Sequence, residues 1–319
     1  LAFWGNPDNS GICVSCFVEN TAGSIGLHDN PRMQYIRPEL IGFLFGAVGS
    51  ALLLGEFRSR GGSAPLPRFL AGVFLIVGCS VFIGCPIKLF LRLTAGDLTS
   101  LIGFAGLVAG VWTGIRSLSA GVEFGRSQAQ KGGSGLWVPG LFLFFLLILL
   151  LRPGFAMFSE RGSAALHAPL LLSLSAGLFL GFLAQRSRFC VTASVRDFLM
   201  MGGRAPLAWG LLAFFLVAVM ANIVTGAFRL GYYGQPGSHH ELIWSFLGMG
   251  LVGWISLAWH PAPGDQDVRR ELYRRSAPTK LQEAMAVKPP LREGACGSEI
   301  VEQTKVTATV CMNIACEAT

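Results

Sequence analysis

Long apolar runs separated by short polar stretches dominate the first 259 residues. A helix needs about 17–23 apolar residues to cross roughly 30 Å of hydrocarbon. Seven runs of that size occur, at 38–56, 67–84, 98–116, 135–152, 168–186, 205–227 and 241–259. Most are apolar on every face, the pattern of a helix surrounded by lipid or bundled with others. Small residues recur four apart within them, at Gly42/Gly46, Gly106/Gly110/Gly114 and Gly177/Gly181. That spacing lets helices approach closely where lipid removes the hydrophobic drive for association. Gly248, Gly250 and Gly253 spell GxGxxG. A dinucleotide fold needs that signature between a strand and a helix; inside an apolar run it reads as helix packing. The pattern predicts an all-α, polytopic membrane protein.

After Trp259 the pattern stops. Residues 260–319 are polar, rich in Pro, Arg, Glu and Thr, and hold no further span. The two cysteines of the ending Cys311-Met312-Asn313-Ile314-Ala315-Cys316 have neither His partners nor a second CxxC pair, so no metal site is expected there. At the front, Leu1-Ala2-Phe3-Trp4 reads as the end of an apolar segment, and no intact signal peptide is visible.

The two halves resemble each other. Ser10-Gly11-Ile12-Cys13-Val14 matches Arg188-Phe189-Cys190-Val191, and Val18-Glu19-Asn20 falls opposite Val195-Arg196-Asp197. Arg37-Pro38 opens a span as Arg204-Ala205-Pro206 does, and Phe57-Arg58 closes it like Phe228-Arg229. Each unit is then a short cysteine-bearing segment, a span, a loop, a second span and another short segment. Segments too brief to cross are the mark of re-entrant or broken helices. Five spans separate Cys13 from Cys190, so the two segments enter from opposite faces and the repeat is inverted, an architecture that sets transporter sites at the repeat interface. The organisation expected is a first transmembrane repeat over 1–116 without its N-terminal span, a linker over 117–167 with one span (135–152), a second, incomplete repeat over 168–259, and a polar tail over 260–319.

Composition supports the bilayer. The chain is 52% hydrophobic and 13% charged, against about 25% charged in soluble domains, and its mean hydropathy is +0.55. Residues 1–259 carry 17 Lys/Arg against 10 Asp/Glu, while 260–319 carry 8 of each, so the first part supplies the whole net charge of +7. The basic residues cap apolar segments instead of forming a stripe, which predicts positive-inside loops and no nucleic-acid partner. On that rule 57–66, 117–134, 187–204 and the tail are expected in the cytoplasm.

The remaining chemistry lies in the cysteines. Cys85 sits in Phe82-Ile83-Gly84-Cys85-Pro86, where Gly84 and Pro86 signal a helix break and a new helix start inside the membrane. A helix N-terminus offers free N–H groups and partial positive charge to an anion. Lys88 and Arg92 follow one turn apart, and Arg188 and Arg196 flank Cys190; such charges are expected to attract an anion at two mouths. Cys79, mid-span, is expected to be a packing residue. Cys13-Val14-Ser15-Cys16 is a CxxC pair, which also admits thiol–disulfide exchange. Against that, Cys16 falls opposite Ala193 in the repeat, and only Cys13 has a cysteine counterpart.

With these residues in view, the chain resembles the YeeE/YedE family of bacterial membrane proteins, most closely the YedE-related branch linked to selenium transport. The stretches that carry the resemblance are 5–28, 34–42, 56–69, 84–103, 184–198 and 246–253, within residues 5–256. It implies an inverted-repeat inner-membrane importer in which cysteines at re-entrant helix tips pass a thiosulfate-like anion along by S–H···S contacts. Cys13 and Cys85 match two such positions, and Cys190 is the repeat mate of Cys13. The family's second GCP-like motif is expected at Pro261-Ala262-Pro263. The same bases read one position later would allow Gly-Ile-Pro-Leu-Arg, so the end of the chain is expected to be frameshifted, with a genuine polar tail as the alternative.

The function expected is import of a small sulfur- or selenium-containing anion. Cys13, Cys85 and Cys190, and less firmly Cys16, would be the relay; Lys88, Arg92, Arg188 and Arg196 would attract the anion. No enzyme motif, cofactor or metal cluster is expected. Partners would be the anion, the lipid bilayer and a cytoplasmic sulfurtransferase-like acceptor. The alternatives are a membrane thiol–disulfide oxidoreductase built on Cys13/Cys16 and a truncated, inactive member of the transporter family.

Overall fold

The structure is a computed structural model that describes residues 1–7, 11–57, 59–62, 65–120, 127–130, 132–232 and 241–258. The proposed tail, the Pro261–Pro263 position and the final Cys311/Cys316 pair lie outside the described residues. Among the described residues the chain forms α1 (Val14–Ser24), α2 (Pro38–Leu53), β1 (Arg60–Gly62), α3 (Pro65–Phe82), α4 (Pro86–Thr94), α5 (Leu98–Ser119), β2 (Ser127–Ala129), α6 (Trp137–Leu151), α7 (Leu170–Ser187), α8 (Val191–Met201), α9 (Pro206–Val224) and α10 (Leu242–Ala258).

Each of the seven apolar runs holds one helix: α2, α3, α5, α6, α7, α9 and α10. Five are long and apolar enough to cross a membrane, while Pro38–Leu53 and Leu242–Leu257 are shorter apolar helices. The chain is thus an all-α, multi-pass membrane protein by length and composition. At 1.5 Å per residue the 22 residues of α5 span about 33 Å, whereas the 9 residues of α4 span about 14 Å and stop short of crossing.

Local chemistry sets the starts. Proline occupies the first turn of α2, α4 and α9, where its missing N–H costs nothing. Asp97 caps α5 by accepting from the Thr99 N–H at 2.9 Å. The short segments read around the cysteines are α1, α4 and α8, and Cys13, Cys85 and Cys190 are their N-cap residues in extended conformation. The break before Cys85 differs in detail from the expectation. Ile83, not Gly84, takes the left-handed conformation at φ 60°. Its N–H bonds Ser80 O at 3.0 Å while the Gly84 N–H reaches Cys79 O at 2.8 Å, the paired bonds of a left-handed helix end usually given to glycine.

Glycines bring the helices together. A methyl on Gly106 or Gly110 of α5 would fall on the carbonyls of Phe246 or Gly250 of α10. Gly248 lies against Gly78 of α3, and Gly253 against Leu107 of α5. The GxGxxG is therefore the surface by which α10 packs between α3 and α5. Gly42 and Gly46 of α2 meet the backbone of Leu174 and Leu178 in the same way, and Gly177 and Gly181 of α7 meet that of Glu39 and Phe43. Two apolar cores result. One joins α3, α4, α5, α8, α9, α10 and the cysteine end of α1; the other joins α1, α2 and α6. Strands β1 and β2 pair antiparallel, Arg60 opposite Ala129, so the loops after α2 and after α5 meet.

Candidate functional site

Helices α1 and α4 begin at the same place, each capped by a cysteine. Cys13 and Cys85 are 0% and 5% exposed, and both belong to the first core. Cys13 lies against the sulfurs of both Cys16 and Cys85. Its Sγ is 3.2 Å from Ser15 Oγ, and the Cys85 thiol donates to Ile12 O at 3.8 Å. The first backbone bonds are Phe17 N–H to Cys13 O in α1 and Leu89 N–H to Cys85 O in α4. The amides ahead of them belong to two neighbouring helix N-termini, each carrying partial positive charge. Cys13, Cys16, Cys79 and Cys85 are all free thiols. Cys79 sits in the core beside them at 2% exposure, the packing place expected of it.

Lys88 completes the cluster. It is 5% exposed, and its Nζ donates to Cys16 Sγ at 3.8 Å. Gly84 makes room for its stem, because a Cβ there would stand 2.8 Å from Lys88 Cδ. That is the role of Gly84, the backbone reversal having fallen to Ile83. Likewise Gly11 accommodates Leu91, whose Cδ1 would stand 2.8 Å from an added Cβ. Among the described residues no carboxylate lies within ion-pair distance of Lys88. A buried ammonium with no carboxylate partner is costly unless an anion joins it.

The other predicted cations are engaged. Arg92 is fully buried. Its Nε bonds Asp97 Oδ2 at 2.7 Å, Nη1 bonds Phe82 O at 3.2 Å and Nη2 bonds Thr99 Oγ1 at 2.8 Å. Asp97 also accepts from the hydroxyls of Thr99 at 2.6 Å and Ser100 at 3.2 Å. Arg92 is therefore a clamp on the α4–α5 turn and not a charge at a mouth, because Asp97 meets it five residues later. Arg188 pairs with Glu56 at 3.8 Å, and Arg196 with its neighbour Asp197 at 2.7 Å. Cys190 caps α8, accepts from the Ala193 N–H at 3.4 Å and is disulfide-bonded, so it offers no free S–H to the expected relay. The structure thus unites Cys13, Cys16, Cys85 and Lys88, while Arg92, Arg188 and Arg196 turn to their own carboxylates.

A second buried polar network went unread in the sequence. Arg37 and Glu39, 2% and 1% exposed, pair at 3.4 Å. With its amide oxygen turned toward Arg37, Asn20 of α1 accepts from Nε at 2.9 Å and Nη2 at 3.3 Å. Asn6 donates to Glu39 at 3.4 Å and accepts from the Ala168 N–H at 2.7 Å. This network fixes α1, and with it Cys13 and Cys16, to the start of α2. A Glu one residue after Pro38, inside an apolar run, was the available signal. Comparison with protein-family models, curated proteins and solved structures gives no match.

Proposed function

We propose that the protein imports a small sulfur- or selenium-containing anion across a bacterial inner membrane, as a member of the YeeE/YedE family with an inverted repeat and a cytoplasmic C-terminal tail. The observation that carries this reading is the buried Lys88 beside three free thiols with no carboxylate partner among the described residues. Lys88 and two helix N-termini supply the positive potential. The neutral thiols of Cys13, Cys16 and Cys85 supply soft, polarizable contacts without repulsive charge. The left-handed residue two places before the cap, at Ile83 for Cys85 and at Arg188 for Cys190, gives both re-entrant tips the same local form. On this reading the relay runs through Cys13, Cys16 and Cys85, without Cys190, and a sulfurtransferase-like protein accepts the cargo.

Uptake of labelled thiosulfate and labelled selenite, measured in parallel in cells lacking their own importers, tests the proposal. Cys85→Ser should cut uptake at least tenfold and Cys79→Ser should leave it near wild type, both with normal insertion. Equal loss from the two would remove the site assignment. The contact between Cys13 and Cys16 at the start of α1 favours a second reading, thiol–disulfide exchange. A Cys13–Cys16 disulfide that cycles with the redox state of the medium would support it.

A further inference from the structure

The outer face of α5 carries an apolar groove of about 520 Å³, lined by Leu101, Phe104, Ala105, Val108 and Trp112 with Leu199 of α8 across it. From Leu101 to Trp112 the groove runs about 16 Å at 1.5 Å per residue, roughly half of the ~30 Å hydrocarbon thickness and so about the reach of one acyl chain. Its end is not apolar. The Arg116 guanidinium lies over the Trp112 ring, 3.8 Å from the centroid. Arg116 is exposed and forms no ion pair among the described residues. It stands one turn beyond the groove, at the end of α5 that leads into β2.

We propose that this groove binds one anionic phospholipid, with an acyl chain along α5 and the phosphate at Arg116. The length suits a single acyl chain laid along the helix. An exposed arginine stacked on a tryptophan, with no ion pair among the described residues, matches a headgroup's glycerol and its negative phosphate. A stretch of α5 that only faced bulk lipid would need neither the concavity nor a cation stacked over its mouth. The site is independent of the anion-transport reading, since it shares no residue with the thiol cluster.

Trp112 reports on it directly. The full chain is placed in vesicles containing phosphatidylglycerol or phosphatidylcholine with identical brominated chains, and quenching is read as the component lost in Trp112→Phe. Phosphatidylglycerol should reach half-quenching at about one fifth of the mole fraction phosphatidylcholine needs, the worth of one basic residue at an anionic surface. Arg116→Gln should abolish that preference and Arg116→Lys should keep it. Ala105→Phe, which fills the groove, should weaken quenching by both lipids. Soluble glycerol phosphate should not compete, because the chain supplies the anchoring. Equal quenching by the two lipids in the wild type would overturn the proposal, as would a preference that survives Arg116→Gln or competition by glycerol phosphate. Loss of quenching as protein density rises would overturn it too, assigning the groove to a second copy of the chain.

Discussion

Replacing Lys88 by methionine separates function from stability, because the two should move in opposite directions. The ammonium is 3.8 Å from Cys16 Sγ, so an anion seated on that sulfur comes within about 4 Å of it. Two unit charges at that distance attract by ~4 kcal/mol at an effective dielectric of ~20, and a hydrogen bond to a charged group nets about 1.5–3 kcal/mol. Taking ~2 kcal/mol, the half-saturation concentration for uptake should rise roughly 30-fold. The unloaded protein meanwhile loses a buried charge that lacks a carboxylate partner, and methionine fills the same space beside Gly84. Its Tm in detergent should therefore rise by a few degrees. The assay is uptake against anion concentration at matched membrane levels, with a thermal melt of the purified variant. Unchanged half-saturation in Lys88→Met would refute the argument outright. A fall in both uptake and Tm would equally refute it, since Lys88 would then hold the fold and not the substrate.

Other substitutions follow from the packing. Arg92→Gln leaves Asp97 buried without its cation, and should destabilise by about 3–5 kcal/mol, the usual result of removing one partner of a buried pair, read as a lower melting temperature. Gly110→Ala drives a methyl into the Gly250 carbonyl and should cost about 1–3 kcal/mol as overpacking; Gly210→Ala on α9, with nothing within 4 Å, should be neutral in the same melt. Ile83→Gly relieves a β-branched residue at φ 60° whose side chain is 41% exposed, and should stabilise by about 1 kcal/mol.

The helices were legible because lipid permits little else: a spanning segment must satisfy its own backbone, so apolar length alone identifies it. The packing was legible too, since glycines four apart have one common use in apolar helices. The site was legible only in part. Lys88 and Arg92 sit one turn apart and look equivalent in sequence, yet Arg92 meets Asp97 across the α4–α5 turn and Lys88 meets no acid. That distinction is tertiary. Cys16 was ranked low because the repeat gives it no cysteine counterpart, while it is the thiol that Lys88 touches. Glycine was the natural choice for the reversal before Cys85, but the space for Lys88 requires it at position 84, and the positive φ passes to Ile83. The Asn20–Arg37–Glu39–Asn6 network joins three separate segments and left only Glu39 as a trace.

Burial gives the last test between the two chemistries. Disulfide exchange with a protein partner needs an attacking sulfur that the partner can reach. Cys13 and Cys85 are 0% and 5% exposed, and Cys16 is half-buried with its sulfur turned to Lys88. A folded partner cannot reach these atoms, whereas an anion of a few atoms needs only a narrow opening. Reagent size therefore discriminates. Methyl methanethiosulfonate should modify Cys13, Cys16 or Cys85 in the folded protein and block uptake, with thiosulfate slowing the reaction. A polymer-linked maleimide should fail to label the same thiols until detergent denatures the chain. Labelling of Cys13 or Cys16 by the polymer reagent in the native membrane would show a path wide enough for a protein thiol, and the transport reading would give way to exchange.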